Sequence, residues 1–148
     1  MRARRRPHEQ KPHAPPVLDV CIHGQPVSSQ SANRRSLEVW KNRVRSACIA
    51  ALRDGSQPID GPVRLQVTFY RESELGDVDN LLKPVQDALQ DVAYGNDRQV
   101  SDATARRRDV NSAFKVRCMS HALARAFSDG RQFVHIEMWQ DPDRETLG

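Results

Sequence analysis

Cysteine is scarce in this chain, and its placement is uninformative as a framework. Cys21, Cys48 and Cys118 are far apart and odd in number, which speaks against a disulfide scaffold and gives no paired spacing for a structural zinc site. They read as small buried hydrophobes in a protein of the reducing cytoplasm. Long apolar runs are missing as well. None approaches the roughly 20 residues a bilayer-crossing helix needs, and the basic amino terminus is not followed by a signal-peptide core. With 148 residues, 38% hydrophobic and 28% charged, the chain suits one domain with a modest core and leaves no room for a second. A net charge of +4 favours a polyanionic partner.

Acidic residues are concentrated where the pattern is most specific. Gly76-Asp77-Val78-Asp79-Asn80-Leu81-Leu82-Lys83-Pro84 leads into Val85 to Leu89, and Asn96-Asp97-Arg98-Gln99-Val100 follows. Asp77 and Asp79, one residue apart, project to the same side of an extended segment and can share a hard cation. Asp97 arrives later as a third carboxylate, as in a Mg²⁺ site that keeps positions for water and a phosphate oxygen. Leu82, Val85, Leu89 and Val92 form a helical stripe from about Asn80 to Val92. Asp79, Lys83 and Asp87 fall in a row at four-residue steps, so Lys83 can reach either carboxylate. Pro84 fits only if the hydrogen-bonded ladder starts near Asn80 or Leu81, which puts both aspartates at the helix mouth. Each piece has a plain alternative: a solvated loop, an exposed charge ladder worth about 0.3 to 0.5 kcal/mol per pair, a turn at Gly95-Asn96-Asp97. Their coincidence in one short segment reads as a metal-dependent phosphodiesterase site.

Asp77-x-Asp79-Asn80-x-x-Lys83, then Asp87-Ala88-Leu89, then Asp97-x-Gln99-Val100, resembles the signature of the RusA family of Holliday-junction resolvases, the crossover junction endodeoxyribonucleases. The resemblance covers the central third of the chain strongly and its flanks more loosely. It implies a Mg²⁺-dependent homodimeric endonuclease of DNA recombination and repair that cuts symmetrically across a four-way junction. Asp77, Asp79 and Asp97 would be its metal-binding carboxylates and Lys83 its essential base or phosphate-facing cation. Members usually carry two acids at the turn; here the first is Asn96. Two other classes use the same residues: a noncatalytic nucleic-acid binder on this scaffold, and a Mg²⁺-dependent nucleotide phosphohydrolase, for which no aromatic pair stands near the acidic segment to form a base pocket.

The rest of the chain predicts a single α/β (α+β) domain over residues 17–140, a mixed sheet of about four strands packed with helices. Residues 1–16 read as a flexible basic tail and 141–148 as a charged one. Val17 to His23 is a strand. Ser36 or Asn33 caps a helix to about Leu52 with Leu37, Trp40, Val44 and Cys48 on one face; Lys41, Arg43, Arg45 and Arg53 lie opposite. After an Asp54-Gly55 turn, Val63, Leu65, Val67 and Phe69 alternate in a strand with one buried face. Gln99 to Val110 is another strand, in which Arg106 and Arg108 share a face that suits either a nucleic-acid backbone or a solvated edge. A helix from Met119 to Phe127, carrying His121 on its surface, a Ser128-Asp129-Gly130 turn and a strand through Val134, Ile136 and Met138 complete the domain. The homodimer surface is expected on an edge strand near Phe133 or on the first helix.

Overall fold

Alternation at Val63, Leu65, Val67 and Phe69 does produce a strand, and the sheet forms around it. The computed structural model describes residues 15–52, 58–71, 77–109, 120–128 and 132–140. In chain order these hold β1 (Leu18–His23), α1 (Arg34–Ala51), β2 (Val63–Arg71), α2 (Val78–Leu89), a 3₁₀ turn (Asp97–Gln99), β3 (Val100–Asp109), α3 (His121–Ser128) and β4 (Phe133–Gln140). The terminal segments expected to be tails lie largely outside the described residues, as do the Asp54-Gly55 turn, Arg53 and Cys118. Among the described residues no helix is long and apolar enough to cross a membrane.

The strands form one mixed sheet in the order β1-β4-β2-β3. β4 runs antiparallel to both β1 and β2, and β2 is parallel to β3. β1, β2 and β3 therefore all point the same way. Period two divides the sheet into two faces. Leu18, Ile22, Leu65, Val67, Phe69, Val134, Ile136 and Met138 pack with α1 and α2 in the main core, with Trp40, Val44, Cys48, Leu81, Val85 and Leu89 supplied by the helices. On the other face Tyr70 and Phe133 stack at 4.6 Å, Phe127 meets both edge-on, and Leu123 and Ala126 of α3 close a smaller cluster. The single mixed-sheet domain is thus as the periodicities indicate. One expectation is corrected: Phe133 is not on an edge strand. β4 sits between β1 and β2, and Phe133 is only 1% exposed, because the aromatic ring is needed under α3.

Candidate active site

Asp77 caps α2 rather than continuing a strand. Its backbone is extended (φ −58°, ψ 132°), and its carboxylate accepts a hydrogen bond from the Asp79 N–H at 3.2 Å. Asp79 lies on the first turn, where the helix dipole favours a negative charge. The two residues are thus linked by cap geometry, not by strand alternation, and the helix begins at Val78, two residues before the apolar stripe indicates. The ladder starts where Pro84 requires, with Leu81 N–H donating to the Asp77 carbonyl at 3.2 Å. Pro84 still falls inside the helix and leaves the Asn80 carbonyl without its usual donor. The Ser29 N–H fills that place at 2.9 Å. This bond pins the mouth of α2 to the loop after β1, at the carboxyl end of the three co-directional strands, the side on which α/β sheets place their ligand sites. Arg107 and Arg108, both exposed, end β3 at the same side, since Arg71 and Asp109 are register partners.

Lys83 chooses Asp87, not Asp79. Its ammonium stands 3.2 Å from the Asp87 carboxylate, with the lysine side chain 64% exposed. Beyond α2 the chain turns through Tyr94, which is fully buried and whose hydroxyl donates to the Gln86 carbonyl at 3.1 Å. Burial, then the Asp97 and Asp87 carboxylates beside it, push the phenol pKa up. Asp97 and Asp87 therefore both stand near the Tyr94 hydroxyl. Eight helical residues separate Asp79 from Asp87, roughly 12 Å of axis. The structure links Asp77 to Asp79 through the cap bond and sets Asp97 beside the Tyr94 hydroxyl.

Asn96 and Gln99 explain how Asp97 is held. The Asn96 side chain accepts from Arg98 N–H at 2.9 Å and caps the 3₁₀ turn. Gln99 binds in both directions: its amide oxygen accepts from Gly95 and Asn96 N–H at 2.8 and 2.9 Å, and its amide nitrogen donates to the Ile59 and Gly61 carbonyls at 2.6 and 2.9 Å. It ties the Asp97 turn to the segment leading into β2. Tyr94 was not singled out from sequence. The available signal was a lone aromatic between Asp87 and Asp97 in a chain with 5% aromatics.

A second polar group lies on the opposite sheet face. Among the described residues, Asp19, His135 and Glu137 are the set of three possible ligands whose donor atoms fall within 4.8 Å of one another. His135 is buried, with Nε2 2.7 Å from Asp19 and Nδ1 3.5 Å from Glu137. The ring stands between the carboxylates with one nitrogen toward each. His135 hydrogen-bonds Asp19 directly, and one donor atom from each of the three residues falls within the reach of a single metal ion. Burial alone would raise Asp19, but the bond and charge of His135, with a bond from Ser120, hold its carboxyl below the usual value. Glu137 is pushed up, by burial first and by Asp19 next, against partial relief from His135, Arg106 and Gln66. Arg106 also donates to the Thr68 hydroxyl at 3.1 Å, so of the three arginines it is the one tied into the sheet. His121 is exposed at the start of α3, as expected.

These features fit a nuclease: exposed hard-oxygen donors, a lysine one turn away, and arginines at the same sheet end. The model of the endodeoxyribonuclease RusA family matches residues 25–119, from the loop after β1 through β3. The chain belongs to this family of Holliday-junction nucleases, which act on branched DNA. No curated protein matches it.

Proposed function

We propose that the chain is a Mg²⁺-dependent endonuclease that resolves four-way DNA junctions by paired phosphodiester hydrolysis in recombination or repair. The observation that carries this reading is the pair of exposed carboxylates at the mouth of α2. Cap and first turn each contribute one carboxylate, which suits an ion that takes one or two such ligands and otherwise keeps water and phosphate oxygens. Bound there by Asp77 and Asp79, Mg²⁺ supplies charge neutralisation at the phosphate and an activated water.

The protein's own groups do the rest. Asp77 holds the first turn in place through the Asp79 N–H, so the two carboxylates keep a fixed relation. Lys83, a compact exposed cation one turn beyond Asp79, exchanges Asp87 for a phosphate oxygen of the bound strand. Asn80 either orients a water with its amide or serves the helix mouth. Asp97 enters as the third carboxylate on its place in the motif. Arg107 and Arg108 hold the backbone of an arm of the junction. Paired cuts need two such sites, and one chain carries one, so the working particle is a two-fold homodimer.

The decisive assay presents purified protein and Mg²⁺ with a four-way junction, linear duplex, single strand and nucleotide triphosphates. Symmetric cuts confined to the junction, stopped by EDTA while the DNA stays bound, are the expected result. Triphosphate hydrolysis with an intact junction would replace this reading with a nucleotide phosphohydrolase, and binding without any cleavage would leave a noncatalytic binder.

A further inference from the structure

Strand register, not sequence proximity, assembles a mixed donor set on the α3 side of the sheet. β1 and β4 pair with Asp19 opposite Glu137 and Cys21 opposite His135. Residues two apart on a strand share a face, so Asp19-x-Cys21 and His135-x-Glu137 form one block of four side chains away from α1 and α2. Three of them, Asp19, His135 and Glu137, offer donor atoms within 4.8 Å of one another. The imidazole is shielded, its side chain 4% exposed, while the two carboxylates keep 20% and 18% and reach solvent. An ion therefore has a way in.

Charge in this block does not balance. A neutral ring beside two carboxylates leaves two negative charges, and a protonated ring leaves one. Arg106 gives Glu137 partial relief, but its guanidinium is shared with the Thr68 hydroxyl. The Cys21 thiol stands in the same field: after burial, both carboxylates disfavour its thiolate. Half-buried negative charge is costly without a cation. A divalent ion would cancel both carboxylates and keep the ring neutral, which is the form that ligates.

Donor chemistry selects the ion. Carboxylates and water suffice for Mg²⁺, whereas a buried imidazole nitrogen beside two carboxylates favours a borderline ion such as Zn²⁺. Four-coordinate zinc, with bonds of about 2.0–2.2 Å, sets its ligand atoms roughly 3.3–3.6 Å apart. The ring nitrogens stand 2.7 Å from the Asp19 oxygen and 3.5 Å from that of Glu137. The ion takes one nitrogen, and the 4.8 Å that spans one donor of each residue closes to the zinc spacing by side-chain rotation.

We propose that Asp19, His135 and Glu137 hold one Zn²⁺ ion, with solvent completing its shell, as a structural clasp separate from the carboxylates of α2. The clasp joins the outer strand β1 to β4. It extends to the start of α3 through Ser120, which hydrogen-bonds Asp19 and accepts from the Leu123 N–H at 3.2 Å.

The test uses the full-length protein stripped with EDTA, dialysed and free of DNA. Zn²⁺ in slight excess should raise the melting temperature with one ion bound per chain, and Co²⁺ should give the visible absorption of a four-coordinate site. Millimolar Mg²⁺ should neither produce that shift nor displace Co²⁺. Glu137→Gln and His135→Gln should each raise the Zn²⁺ dissociation constant by about tenfold or more. Glu137→Gln keeps the test sound if the histidine variant folds poorly, because relief of the excess charge should make it more stable than wild type without metal and less responsive with it. Asp77→Asn with Asp79→Asn should leave the Zn²⁺ response in place. No thermal or spectral response in the wild type would overturn the proposal. So would a response that survives both Glu137→Gln and His135→Gln, or one that is lost with Asp77 and Asp79.

Discussion

Asp77 and Asp79 carry the chemistry proposed for the site, so each should fail alone. Asp77→Asn and Asp79→Asn should abolish cutting in Mg²⁺ with the fold intact and junction affinity equal or higher, since a negative charge beside the phosphate is gone; gel-shift and cleavage assays on one preparation check both. Asp97→Asn should do the same, and wild-type cutting there would confine Asp97 to its turn. For Lys83 the structure supplies a control. Its exposed pair with Asp87 is worth less than about 0.5 kcal/mol, so Lys83→Ala should leave the melting temperature nearly unchanged while the cleavage rate falls by orders of magnitude. Lys83→Arg should recover only part of the rate, because a planar fork does not copy an ammonium. The Asp19, His135 and Glu137 network gives opposite signs. Glu137 holds its proton more tightly folded than unfolded, so its ionised form costs stability at neutral pH and the cost fades as pH falls through the raised value. Glu137→Gln should therefore raise neutral-pH stability, with the gain vanishing in acid. Asp19 is lowered, so its contribution is full above the ordinary carboxylate range and is lost as pH falls through the lowered value. Asp19→Asn should destabilise at neutral pH, and urea melts at neutral and acid pH separate the two. None of this network was legible in sequence, because Asp19 and His135 lie 116 residues apart and only the β1–β4 register joins them.

α2 was read correctly as an amphipathic helix with a mouth at the aspartates, yet its start was placed late. Periodicity reports the buried stripe, and the capping turn at Asp77 to Asp79 leaves both aspartates exposed and Val78 only half-buried. The Pro84 problem was visible in sequence; its solution was not, since the donor comes from Ser29 in another loop. That pair supports a double-mutant cycle. Ser29→Pro removes the N–H and should cost about 1–3 kcal/mol. Pro84→Ala restores a donor within the helix and should recover part of that loss, a coupling on the order of 1 kcal/mol in denaturant melts. Additive effects would mean that the Asn80 carbonyl finds another partner. The β3 reading was right that Arg106 and Arg108 share a face, and a solvated edge was one of its two outcomes. Arg106 nevertheless turned inward to Thr68, because the half-buried Glu137 on that face draws a cation.

At the scale of the molecule the strand order was the least legible feature. Which strand lies at an edge depends on pairings between distant segments, and nothing local marked β4 as central. Charge is more readable. Residues 2–11 carry five basic side chains and one acidic one, and deleting them should weaken binding to every DNA shape together and flatten the salt dependence. Preference for the four-way junction should survive, because such a tail carries charge but no fixed geometry with which to recognise a junction. A truncated protein that binds linear duplex as before but no longer prefers junctions would overturn that assignment.

The two tryptophans offer a way to watch the molecule come apart. Trp40 lies in the main core with its indole N–H buried and without a hydrogen-bond partner among the described residues, and Trp139 sits on the opposite face with the Arg64 guanidinium 4.2 Å above its ring. Their emission should differ in colour and in quenching by iodide, so each sheet face reports its own loss of packing. If both signals shift at one denaturant concentration, the faces unfold as a unit. A Trp139 change that comes first would show the α3 side loosening while the platform beneath the α2 carboxylates still stands.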